Sequence, residues 1–216
     1  MKNAKKFAAL TFLLIFPVFL IWFLRTFGEN KFSIPVFHQD ATAITSEFCS
    51  PQEGQHYIPA FNFVNKEGEF LSESHLSGKL TVVSFFNSHC QESCQRLNNE
   101  LLRLQGNFET EPAVQLLSVS TDPERDTPAE LKAYTEEKGL SKPKWEFVTG
   151  EKNAVEQLIR CGFVLPLISS SAAIATPANL QLVLVDGQRR IRGYYTSERK
   201  EIDRLITEIK ILLEER

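Results

Sequence analysis

Leu80-Thr-Val-Val-Ser-Phe-Phe-Asn-Ser-His-Cys-Gln-Glu-Ser-Cys94 joins an apolar, strand-like run to two cysteines with three residues between them, and a helical pattern follows at once. Seven mostly apolar residues, 80–86, predict a central strand buried on both faces. Leu97, Leu101, Leu102, Leu104 and Phe108 recur at helical spacing and predict an amphipathic helix over 94–108. The cysteines therefore fall at a strand-to-helix junction, where the positive end of the helix dipole lowers a thiol's pKa and raises its reactivity. The plain alternative is that both are small buried hydrophobes. Their position favours chemistry, either as a dithiol–disulfide couple or as a soft-ion site.

On either side of this stretch the pattern alternates between strands and helices. Residues 57–64 and 69–71 flank Asn65-Lys-Glu-Gly68 and predict a hairpin. Residues 114–120 predict a second central strand. In Thr121-Asp-Pro-Glu-Arg-Asp-Thr-Pro128, Thr127, Pro128 and Glu130 fill the N-cap, first-turn proline and capping-box positions of a helix running to about Lys138. A strand over 145–148, a helix over 153–161, a hairpin around Asp186-Gly187 and a closing helix with Ile202, Leu205, Ile206, Ile209 and Leu212 on one face complete the chain. The whole predicts an α/β layered, thioredoxin-like domain with an N-terminal hairpin.

The 216 residues carry a net charge of −3 with acidic and basic groups well mixed, and no Lys/Arg cluster is paired with aromatics, which excludes a nucleic-acid footprint. Behind Lys2, Lys5 and Lys6, residues 7–24 hold no charge. As a helix they rise about 27 Å, close to a hydrocarbon core of about 30 Å. Trp22, Phe23 and Arg25 suit the far interface. No small-x-small cleavage site follows, so an uncleaved anchor is expected rather than a signal peptide. The leading lysines put the N-terminus in the cytoplasm and the domain outside, where a disulfide persists. This divides the chain into a cytoplasmic N-terminus and transmembrane anchor (1–27), a tether (28–55) and the globular domain (56–216), on a bacterial inner membrane with the domain on its outer side. Cys49 reads as a free or locally packed thiol of the tether, and Cys161 as a core residue.

Several segments resemble the Sco/SenC family: Ile58-Pro-Ala-Phe61 with Asn65-Lys-Glu-Gly68, Phe85-Phe-Asn-Ser-His-Cys-Gln-Glu-Ser-Cys94, and Val119-Ser-Thr-Asp-Pro-Glu-Arg-Asp-Thr-Pro-Ala-Glu-Leu-Lys-Ala-Tyr134. Trp145-Glu-Phe-Val-Thr-Gly150 and Leu184-Val-Asp-Gly-Gln-Arg-Arg-Ile-Arg-Gly-Tyr-Tyr195 extend the likeness. The resemblance implies a membrane-anchored thioredoxin fold, copper held by Cys90 and Cys94, and a role in cytochrome c oxidase assembly. Two departures stand out. The family usually has a histidine, its third copper ligand, eight residues before the aspartate ending the penultimate strand. Counting back from Asp186 reaches Ala178, and no histidine follows His89. Gln95 also replaces the family's usual proline.

Two soft thiolates satisfy Cu(I), whereas Cu(II) favours nitrogen and oxygen donors, so the copper expected here is Cu(I) before Cu(II), or none. Three roles stay open: a metallochaperone for an oxidase subunit, a thiol–disulfide oxidoreductase acting on an oxidase subunit or another extracytoplasmic thiol protein, or a redox-sensing module that no longer binds Cu(II). His89 could replace the missing ligand, although adjacent side chains point apart in an extended chain. His38, His56 and His75 read as solvated. Asp122 has two readings, a hydrogen bond near the cysteines or part of a turn and cap.

Overall fold

The computed structural model describes residues 2–27, 33–39, 49, 54–90, 92–166, 169–170, 173–174 and 181–215. The chain forms two compact units, Met1–Ser33 and Ile34–Arg216. The first contains one helix among its described residues, α1 (Lys2–Phe27), with Pro17 inside it. Its side chains are described at 12–23 and 26, all exposed. Among the described residues no helix is long and apolar enough to cross a membrane.

In the second unit seven strands form one sheet. The strands are β1 (Asn62–Asn65), β2 (Phe70–Ser72), β3 (Leu80–Phe86), β4 (Val114–Ser120) and β5 (Trp145–Thr149), with β8 (Gln181–Val185) and β9 (Ile191–Thr196) after a two-stranded β6 (Ser169–Ser170) and β7 (Ala173–Ile174). The sheet order is β2-β1-β5-β4-β3-β8-β9. β3, β4 and β5 are mutually parallel, and β1, β2, β8 and β9 join antiparallel. Parallel neighbours need crossover helices. These are α2 (Glu92–Asn107) between β3 and β4, and α3 (Pro128–Glu137) between β4 and β5.

Both faces of β3 are covered, as its unbroken apolar run requires, and all seven of its residues are buried. Val82 and Phe86 face a core shared with Leu97 and Leu101 of α2, Leu131 and Tyr134 of α3, and Leu205 and Ile209 of α5 (Arg199–Glu214). Val83 and Phe85 face the opposite core, with Ile58, Phe63, Val155, Ile159 and Phe163. Period-two alternation along one strand thus supports two helical layers. The α3 cap forms as its sequence directs: the Thr127 side chain accepts the Glu130 N–H at 3.3 Å, and Pro128 occupies the first turn.

The helix expected over 153–161 is shorter. Here α4 (Lys152–Gln157) passes into a π-helical turn, Leu158–Gly162, with the Phe163 N–H on the Leu158 carbonyl at 2.9 Å. Leu158, Ile159 and Gly162 turn inward while Cys161 stays half-exposed. A Cβ at Gly162 would meet Leu158 Cδ1 at 2.7 Å, so a larger residue here would displace the Leu158 side chain.

Residues 34–39, expected within the tether, lie on the domain. The Phe37 N–H donates to the Ile191 carbonyl at 2.9 Å, the His56 N–H to the His38 carbonyl at 3.1 Å, and Arg192 to the Ile34 carbonyl at 2.6 Å. Cys49 is neither free nor merely packed, and Cys161 is not a lone core residue: the two are joined, with Cα atoms 5.5 Å apart across 112 residues of sequence. Their proximity depends on the N-terminal segment returning to the π-helical turn, which neither local pattern encodes.

Candidate functional site

β3 ends at Phe86, and residues 87–90 turn the chain into α2, with the Cys90 N–H on the Asn87 carbonyl at 3.3 Å. Cys90 lies before the helix and Cys94 in its first turn; the sulfurs are bonded, with Cα atoms 5.7 Å apart. The two differ sharply in access. Cys94 is 1 % exposed, whereas Cys90 is half-buried and lines a cleft of about 480 Å³. An incoming nucleophile therefore meets Cys90. Cys94, as leaving group, would carry its charge at the positive end of α2.

The polar group beneath this loop is one the sequence reading missed. Asp126 is fully buried, and its carboxylate accepts the Ser88 backbone N–H at 3.2 and 3.4 Å, the Ser88 hydroxyl at 2.5 Å and the Ser120 hydroxyl at 2.5 Å. Charge-assisted bonds of this kind are the stronger class. Since Ser88 gives its only hydroxyl proton to Asp126, its oxygen accepts from His89 Nδ1, 3.0 Å away. His89 is thereby fixed with its proton on Nδ1 and, when neutral, its acceptor on Nε2. The register brings these groups together: Phe86 of β3 pairs with Ser120 of β4, so polar groups at both strand ends meet at one edge of the sheet.

Asp122 serves the turn. Its carbonyl accepts the Arg125 and Asp126 N–H groups at 3.0 and 2.9 Å, and its own N–H donates to Ser120 Oγ at 3.1 Å. Of the other histidines, only part of the solvated expectation stands. His56 is 1 % exposed and its Nε2 lies 2.7 Å from the Gly162 carbonyl. His38 is half-buried against the Tyr194 hydroxyl at 2.9 Å, and burial followed by the charge of His56 lowers its pKa. His75 is half-buried, and burial followed by Lys79 lowers its pKa. Ala178 lies outside the described residues. Among the described residues no cluster of three or more His, Cys, Asp or Glu could hold a metal ion.

Fold and site together define a thioredoxin-like domain with a cysteine pair at the junction of a central strand and the following helix. The chain belongs to the SCO1/SenC family, whose model matches residues 50–214. It is 26 % identical over 157 residues to the SCO1 protein homolog of Bacillus subtilis, covering 71 % of this chain and 81 % of that protein. The structure resembles BsSco, a member of the Sco family of cytochrome c oxidase assembly proteins, with a TM-score of 0.63, 23 % identity, and 72 % and 92 % of the two chains covered. It also resembles yeast Sco1 with copper bound, with a TM-score of 0.56, 20 % identity, and 71 % and 92 % covered. At these identities the structural likenesses establish the fold alone.

Proposed function

We propose that this chain acts in cytochrome c oxidase assembly through thiol–disulfide exchange at Cys90–Cys94, and that the dithiol form holds Cu(I) as cargo. The observation that carries the exchange reading is the contrast between a half-buried Cys90 and a Cys94 that is 1 % exposed. In the reducing direction the Cys90 thiolate attacks a partner's disulfide and releases one partner thiolate. Cys94 then attacks Cys90 and releases the partner from the mixed disulfide. Two electrons pass to the partner, the Cys90–Cys94 bond forms, and a dithiol reductant restores the pair. Oxidase assembly enters through family membership and the BsSco relative.

Copper is the second part of the reading, supported by two soft sulfurs four residues apart in sequence and by the copper-bound yeast relative. Titrating the reduced chain separately with Cu(I) and Cu(II), beside a measurement of its disulfide potential, tests both parts. Stoichiometric Cu(I) binding lost in Cys90→Ser is expected, with weak Cu(II) binding. Ala178→His should add the nitrogen donor that Cu(II) favours and produce a thiolate-to-copper charge-transfer band. Such a band in the native chain would instead indicate another donor, such as His89. Absence of Cu(I) binding together with an irreducible disulfide would end the proposal.

We further read α1 as the membrane anchor, with the domain outside. Support comes from the charge-free residues 7–24, the lysines before them and a helix over Lys2–Phe27. A reporter fused after Glu29 should be active only on the outer side; release of a cleaved soluble domain would contradict it.

A further inference from the structure

We propose that the cleft beside Cys90 is a docking groove for an extended polypeptide segment bearing the thiols exchanged with Cys90. The inference rests on the exchange reading and names its substrate class. One wall is a single stripe of α2. Gln95, Asn98, Asn99 and Leu102 are spaced i, i+3, i+4 and i+7, and all four line the cleft that holds Cys90. Leu97, Leu101 and Leu104 of the same helix point into the core, so the amide stripe is the face that packing left to the groove. Tyr134 of α3 lines the same cleft.

Three amides in a row suit a peptide backbone, because each offers both a donor and an acceptor. Asn98 is held in place: it is buried and its Nδ2 donates to the Tyr134 hydroxyl at 2.7 Å, leaving the amide oxygen as its remaining acceptor. Gln95 and Asn99 are exposed beside it. From Gln95 to Leu102 the stripe rises about 10 Å, the length of about three extended residues. A small thiol reaching Cys90 needs no such lane. Lys138 and Glu137, also at the cleft, lie 2.7 Å apart, so the pair brings no net charge to it. That favours backbone recognition over selection for an acidic or basic partner.

When the oxidised protein is attacked, a thiolate of the bound segment bonds to Cys90 Sγ and the Cys90–Cys94 bond breaks. Cys94 leaves with the electron pair. The segment's second thiolate then attacks its own bridged sulfur, forming the segment's disulfide and releasing Cys90. Two electrons enter the pair, and the two thiol protons are taken up by Cys90 and Cys94.

The test uses the full oxidised chain in detergent micelles and measures the second-order rate of Cys90–Cys94 opening, followed by alkylation and mass mapping. Two reductants are compared: dithiothreitol and an unstructured hexapeptide with two cysteines. The exposed double substitution Gln95→Leu/Asn99→Leu should slow the peptide about tenfold while changing the dithiothreitol rate by less than about twofold, as expected for losing two hydrogen-bonding groups. An unchanged peptide rate, or equal slowing of both reductants, would overturn the groove. If neither reductant opens the bridge in the native chain, the exchange reading fails, and the groove fails with it.

Discussion

Ser88 gives both its backbone N–H and its hydroxyl to the carboxylate of Asp126, at 3.2 and 2.5 Å. This ties the loop entering the cysteine pair to the loop leaving β4. A second clasp runs beside it: the Thr121 N–H and hydroxyl both donate to the Phe86 carbonyl, at 2.7 and 3.0 Å. Removing the carboxylate strands a part-buried N–H and two hydroxyls. Asp126→Ala should therefore lower the unfolding free energy by about 2–4 kcal/mol. Urea denaturation checks this, with Ser120→Ala as a milder comparison. An effect under about 0.5 kcal/mol would mean the carboxylate is not the anchor of this loop.

After reduction, Cys90 should react with iodoacetamide at least about tenfold faster than Cys94, because access and thiolate character govern thiol reactivity. Cys94→Ser should accumulate a lasting mixed disulfide on Cys90, having lost the resolving sulfur. Cys90→Ser should not. Peptide mass mapping of alkylated protein reads both outcomes, and equal labelling of the two thiols would contradict the difference in burial.

The Cys49–Cys161 bridge closes a loop of 112 residues. On the chain-entropy account a loop of that size contributes about 4–5 kcal/mol, with measured bridges spanning about 0–5. The double variant Cys49→Ala/Cys161→Ala is expected to lower the urea midpoint while leaving Cys90–Cys94 intact. Mass mapping of the non-reduced wild type should return two separate pairs. A dominant bridge from either residue to Cys90 or Cys94 would refute the pairing.

His38 supplies a pH dependence. Tyr194 gives its hydroxyl proton to the Phe163 carbonyl at 2.9 Å, so His38 Nε2 donates to Tyr194. Burial and the neighbouring His56 hold the His38 pKa below its ordinary value of 6.5. The unfolded chain therefore binds the proton more readily than the folded one. Stability is full above pH 6.5 and falls as pH drops from there toward the folded value. Compared with His38→Gln, the wild type should lose more stability between pH 7.5 and 5.5. Its Phe37 amide should also lose more of its hydrogen-exchange protection, and parallel profiles would remove His38 as the cause.

What was legible in the sequence is what local chemistry encodes. The apolar run of β3, the leucine spacing of α2 and the Thr127-Pro128-Glu130 cap each specify their own conformation. What was not legible depends on chain segments meeting across the fold. Asp126 precedes an N-cap and looks like part of it; only the parallel register of β3 and β4 brings it under Ser88. His56 looks like a turn residue until the π-helical turn places the Gly162 carbonyl above it. Cys161 reads as the end of a regular helix, and nothing local shows that the chain widens there and presents its sulfur to Cys49.

The bonds made by residues 34–39 have one more consequence. β9 is an outer strand of the seven-stranded sheet, and an outer strand with open peptide groups is a template for pairing with another chain. Here the Ile191 carbonyl is occupied by the Phe37 N–H and the Tyr194 carbonyl by Arg204 at 3.0 Å, while the Phe37 ring stands edge-on to Tyr194. The segment leading into the domain thus shields this margin from self-association. A chain shortened to begin after residue 39 would bare the Ile191 carbonyl and the Tyr194 ring that Phe37 covers in the intact protein, and it would be the form prone to aggregate.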